Sequence, residues 1–116
     1  MNTRTLLAAL AMTGFAAPAM AHAFLQHAKP GAGATLAVAS KEIALEFSEP
    51  LEPAFSGLDV TDGAGHDVEA APAVISGAFM RVSLKALAPG RYRVRWHAVS
   101  VDTHRTDGGY DITVKP

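Results

Sequence analysis

Two residues near the end of the chain, Asp102 and His104, carry side chains that could do chemistry together. A spacing of two in extended backbone puts both on one face, so a carboxylate and an imidazole can converge on one point. Such a pair can be a plain surface hydrogen bond, or two ligands of one metal ion. A third group of the same kind sits at the other end of the chain. Arg4, the apolar run from Leu6 to Ala17 and the sequence Pro18-Ala19-Met20-Ala21 form the three parts of a secretory signal with an A-x-A cleavage site. The apolar run is about a dozen residues, against roughly 18–20 for a membrane span. Cleavage after Ala21 makes residues 1–21 a signal peptide, residues 22–116 the mature domain, and His22 its first residue. The new α-amine and the imidazole Nδ1 of His22 could then close a six-membered chelate ring. Their reference pKa values, about 8 and about 6.5, let a metal displace both protons near neutral pH.

The set His22, Asp102 and His104 is mixed nitrogen and oxygen without sulfur. Cu(II) favours tetragonal nitrogen and oxygen sites and stands at the top of the divalent affinity order. The sequence has no cysteine, which excludes a blue-copper centre, zinc–thiolate sites, thiol catalysis and disulfide staples. Of four methionines, Met1, Met12 and Met20 belong to the signal segment, so Met80 is the one thioether of the mature chain. It falls on the apolar side of a strand, where it reads as core filler.

Strands must position these residues. Glu42–Phe47 alternates cleanly, with Ile43, Leu45 and Phe47 inward and Glu42 and Glu46 outward. Phe79–Leu84 turns Met80, Val82 and Leu84 to one side. Arg91–Trp96 is the strongest strand signal, with Tyr92, Val94 and Trp96 as the buried set and three arginines as the solvated one. Tyr110, Ile112 and Val114 give the last strand the same logic. Weaker strands are expected over 22–27, 57–61 and 68–75, separated by Pro- and Gly-containing turns. About seven short strands with no helix after the signal predict an all-β fold, a small antiparallel sandwich or Greek-key barrel of immunoglobulin-like or cupredoxin-like architecture. Trp96, Ser100, Asp102 and His104 share a parity, so an unbroken strand would bury the candidate ligands. The strand is therefore expected to end or bulge between Trp96 and Asp102.

A formal net charge of −1 with no long run of one sign argues against a nucleic-acid binder. The remaining histidines have ordinary expected places: His27 solvated in the first strand, His66 in a Gly-containing loop, and His97 pointing away from the buried Trp96 ring. Thr103, Thr106 and Asp107 are candidates for turn positions or for supporting the ligands. The alternating arginines read as a solubility device, or as a docking stripe.

The start at His22, the segment Leu45-Glu46-Phe47-Ser48-Glu49-Pro50-Leu51, the turn Leu87-Ala88-Pro89-Gly90-Arg91-Tyr92, and Trp96-x-Ala98-Val99-Ser100-x-Asp102-Thr103-His104 followed by Gly109 together resemble the CopC family of periplasmic copper-binding proteins. The resemblance covers essentially the whole mature chain. It implies one Cu(II) ion per mature chain at His22, Asp102 and His104, and it adds Glu49, either as a ligand or as a hydrogen-bond acceptor behind the ligands. Some relatives carry a methionine-rich Cu(I) loop. The corresponding region here, about 60–72, has no methionine, so the chain resembles the single-site type. The implied role is a periplasmic copper carrier or buffer in homeostasis or resistance, with no catalytic step. Its implied partner is a separate inner-membrane copper transporter of the CopD type, since the mature chain contains no membrane segment. Two rival readings start from the same residues. An amine–imidazole chelate plus a second histidine is also the brace of copper-dependent oxidative enzymes. A bare immunoglobulin-like interaction module would make the histidines incidental.

Overall fold

The computed structural model describes residues 23–116. Eight strands occur among them: β1 (Leu25–Lys29), β2 (Thr35–Leu36), β3 (Glu42–Phe47), β4 (Gly57–Asp62), β5 (Val74–Ser76), β6 (Phe79–Ser83), β7 (Gly90–Val99) and β8 (Arg105–Val114). They form two four-stranded sheets, ordered β1-β3-β6-β5 and β2-β8-β7-β4. Every pairing is antiparallel except β2 with β8. The described residues contain no helix long and apolar enough to cross a membrane.

Alternation fixes which face of each strand goes inside. Ile43, Leu45 and Phe47 of β3 and Met80 and Val82 of β6 meet Val60 of β4, Val94 of β7 and Ile112 of β8 in one buried core. Arg91, Arg93 and Arg95 on the other face of β7 stay exposed, while Glu42 and Glu46 of β3 are partly covered. Met80 is fully buried, the place expected for it. Two tyrosines bridge core and surface: Tyr92 donates its hydroxyl to the Ala88 carbonyl at 2.6 Å, and Tyr110 donates to the Pro30 carbonyl at 2.9 Å. Burial pushes the Tyr110 phenol up to about 12, so it stays a neutral donor.

The structure departs from the expected elements in four places. The first strand is shifted to Leu25–Lys29. Over 68–75 only Val74–Ser76 is strand; Pro72 cannot donate to a ladder, and the Glu69 carboxylate accepts the Val60 amide at 2.7 Å. The two-residue β2, parallel to β8, is too short to leave a periodic signal. Trp96, expected among the buried set, is only partly covered. Its ring stands edge-on to Phe47 at 5.1 Å between centroids, and its Nε1–H is buried without an acceptor among the described residues.

Trp96 also dictates its cross-strand partner, Gly108. A Cβ built on Gly108 would lie 2.2 Å from Trp96 Cζ2 and 2.7 Å from Cε2, and a rigid indole cannot fold away from it. Gly108→Ala is therefore expected to destabilise the fold by about 1–3 kcal/mol through overpacking. Urea denaturation checks this; an unchanged midpoint would show that the ring and strand can separate at little cost.

Candidate metal centre

β7 and β8 are the two longest strands, ten residues each, paired in continuous register from Gly90↔Val114 to Val99↔Arg105. Their connection, Ser100–His104, carries both candidate ligands of this region. β7 ends at Val99, between Trp96 and Asp102, where parity required it to end. The Thr103 amide donates to the Ser100 carbonyl at 2.8 Å, and the Ser100 amide donates to the His104 carbonyl at 2.9 Å. Thr103 has φ of 74°. This is a three-residue hairpin loop, a tight turn followed by a residue in the left-handed region, the place glycine usually fills. The turn projects Asp102 and His104 into solvent, with side chains 43% and 51% exposed.

Within the loop, His104 Nδ1 stands 3.4 Å from Asp102 Oδ1. The same carboxylate oxygen accepts a hydrogen bond from the hydroxyl of Ser100, which has no exposed surface. The Ser100 hydrogen bond is the largest influence holding the Asp102 carboxyl below the ordinary carboxylate range, and the hydrogen bond and charge of His104 act in the same direction. The carboxylate is thus an anionic oxygen donor at neutral pH. Ser100 itself was not expected to serve the site, although its parity with Asp102 was visible.

Two other segments are tied to this end of the sandwich. Leu51 bridges to Ser100, the Val101 amide donates to the Pro50 carbonyl at 3.2 Å, and the Glu52 amide donates to the Val99 carbonyl at 2.8 Å. Glu49 lies in that segment, half-buried. The start of the described chain is held on both sides: Thr106 Oγ1 donates to the Ala23 carbonyl at 2.8 Å, while Phe24 and Ser48 exchange bonds of 2.8 Å through the Ser48 hydroxyl and amide. Ala23 is fully buried. His22 lies outside the described residues, as do residues 1–21, over which a signal segment is expected. Among the described residues, Asp102 and His104 come together, and no group of three or more His, Cys, Asp or Glu forms a metal cluster. Thr106 supports the Ala23 carbonyl, so its expected supporting place is a backbone tether.

The other histidines are dispersed. His27 is exposed in β1 opposite Glu46. His66 stands in the loop after β4 with Nδ1 3.6 Å from Asp62 Oδ2. His97 turns outward from the core and lies on Gly57, where an added Cβ would be 2.6 Å from its ring.

Residues 25–115 match the family profile of the CopC domain. The chain is 39% identical over 121 residues to protein YobA of Escherichia coli K12, covering 98% of both chains. It is 36% identical over 125 residues to copper resistance protein C of Escherichia coli, covering 99% of this chain and 98% of the relative. Its fold is similar to the crystal structure of CopC from Methylosinus trichosporium OB3b, with a TM-score of 0.75, 32% identity, and coverage of 82% of this chain and 95% of that one. It is also similar to PcoC, a methionine-rich copper resistance protein from Escherichia coli, with a TM-score of 0.70, 36% identity, and coverage of 82% and 100%.

Two outcomes follow from the loop geometry. Ser100→Ala removes the hydroxyl that favours the ionised Asp102, so the Asp102 carboxyl should titrate at higher pH, measured by carbon NMR of the carboxyl. The sign for stability is that of a lowered carboxyl. Its contribution is present above the ordinary carboxylate range and is lost as pH falls through the folded value, so the variant should be less stable than the parent at neutral pH, and the difference should shrink in acid. Thr103→Gly, by contrast, removes a β-branched residue from the left-handed region, which costs roughly 1–2 kcal/mol for a residue with a Cβ. Part of that gain is offset by glycine's greater backbone freedom, leaving a net stabilisation of about 0.5–1 kcal/mol. A lower urea midpoint for Thr103→Gly would overturn this account of the turn.

Proposed function

The chain belongs to the CopC family, whose members are copper-binding carriers and not enzymes, and we propose that it binds one Cu(II) ion at His22, Asp102 and His104. In this reading residues 1–21 are removed as a signal peptide and the mature domain 22–116 works in the periplasm. The new amine and imidazole of His22, the Asp102 carboxylate and the His104 imidazole supply a nitrogen-rich tetragonal donor set that suits Cu(II). Glu49, a ligand or a hydrogen-bond acceptor behind the ligands in this reading, lies next to the Pro50–Glu52 stretch that is tied to the loop, and does not join Asp102 and His104 in a cluster among the described residues. Its carboxylate makes no hydrogen bond or ion pair among the described residues.

One observation carries the proposal. The Ser100-pinned loop gathers Asp102 and His104, and Thr106, two residues further on, holds the carbonyl of Ala23. The covalent neighbour of His22 is thereby fixed on the strand that leads out of the other two ligands. The single thioether of the described chain, Met80, is fully buried in the core, so no sulfur donor is offered for Cu(I). That supports a single-site carrier, in contrast to the methionine-rich character that describes PcoC. The half-exposed ligands suit sequestration and hand-over by ligand exchange. A separate membrane transporter of the CopD type fits as the receiver.

The test is Cu(II) stoichiometry and EPR on the processed protein beside a form with one extra residue before His22. One ion and a nitrogen-rich tetragonal signal, weakened or altered by the extension, is the expected result; identical binding by both forms would remove His22 from the site. Amine and imidazole donors must shed protons to bind, so affinity should fall as pH drops from roughly 7.5 to 5. The Asp102 carboxyl, held low, does not contribute to that loss. A competitive titration giving equal affinities at the two pH values would exclude these nitrogen ligands.

A further inference from the structure

The outward face of β7 carries a row of arginines that the copper reading leaves unused. Arg91, Arg93 and Arg95 occupy alternate positions of the strand and are all exposed. β7 is flanked on both sides in its sheet, by β8 and β4, so the row runs down the middle of a sheet face. Alternate residues of a strand are about 6.8 Å apart, which gives the row a length of about 14 Å.

The carboxylates nearby neutralise only part of it. Arg93 pairs with Asp111 at 3.1 Å. Asp62, at the rim, is engaged by its own loop, accepting the Ala64 and His66 amides at 2.9 Å each. Asp59 stands opposite Arg95 in register, yet Arg95 forms no ion pair or side-chain hydrogen bond among the described residues, and neither does Arg91. Their partners in register on β8 are Gly109 and Thr113, neither of which carries charge. A shallow cleft of about 350 Å³ opens along the row, with Thr61, Gly63 and Gly65 on its β4 side.

We propose that this stripe docks an extended acidic segment of a partner protein, with carboxylates at alternate residues facing Arg91, Arg93 and Arg95. An extended chain repeats its same-side residues at the spacing of the arginine row. The planar guanidinium fork binds a carboxylate through two parallel hydrogen bonds, which a lysine cannot do. A broad anionic lipid surface is a poorer match, because Asp59, Asp62 and Asp111 interrupt the basic surface and the formal net charge is −1. The row also points along β7 towards the Ser100–His104 loop, with Arg95 four residues before the strand's last residue, Val99. An occupant of the stripe would thus extend towards the candidate ligands, although docking itself does not depend on copper.

The probe is a synthetic peptide with three glutamates at alternate positions, titrated into the isotopically labelled protein and followed by NMR. Its control is an isomer with the same three glutamates consecutive. We expect shifts confined to β7, Thr61 and Asp111, tighter binding of the alternating peptide, and weakening by added salt. The double variant Arg91→Ser with Arg95→Ser should weaken binding about fivefold to tenfold, since an exposed ion pair is worth up to about 1 kcal/mol. Arg91→Lys with Arg95→Lys should fall between, and both variants should keep the parent's melting temperature and copper stoichiometry. Equal affinity for the two isomers, shifts elsewhere on the molecule, binding unchanged in the serine variant, or capture of the same arginines by anionic vesicles but not by the peptide would each overturn the proposal.

Discussion

A buried serine sets the geometry on which the candidate centre depends. Ser100 has no exposed surface, so water is not available to its polar groups, and an unsatisfied buried group costs about 1–3 kcal/mol. The loop itself supplies the partners. The Ser100 amide reaches the His104 carbonyl, its carbonyl receives the Thr103 amide, and its hydroxyl reaches the Asp102 carboxylate. Satisfying one buried residue therefore fixes the backbone on both sides of Asp102 and His104, and orients the carboxylate as well. The turn is the geometry left once those bonds must all be made.

This explains why a side-chain spacing of two survives outside a strand. In extended backbone the i, i+2 relation would have placed Asp102 and His104 on the face of Ser100, which is the buried one. The left-handed Thr103 between them breaks the alternation. Both side chains then stay together at 3.4 Å while leaving the core. Backbone strain at one residue is part of the positioning, and the long β7–β8 ladder is what holds it.

Much of this was legible in the residues. β3, β6 and the first half of β7 announce themselves by strict alternation, and their inward residues are the buried ones. The break before Asp102 followed from parity alone. Other features left no readable signal because they depend on contacts far apart in sequence. Nothing local to Thr106 says that it holds Ala23, a contact spanning 83 residues. Nothing local to Ser48 says that it meets Phe24. Trp96 follows the rule in direction and departs from it in degree: alternation put it inside, and its ring packs against Phe47 and over Gly108 but stays only partly covered.

The separation between core and site has a chemical consequence. A buried metal site must offset the desolvation of its charged ligands, whereas the Asp102–His104 loop stands at the rim, where that cost is small. What the fold supplies there is positional restraint, through Ser100 on one side and the Ala23–Thr106 and Phe24–Ser48 tethers on the other. An ion held by restrained, half-exposed ligands can be approached by an incoming donor without opening the core. Rigid support beneath an open rim is the physical form that capture followed by release requires. The sandwich supplies the support, and its longest hairpin supplies the rim.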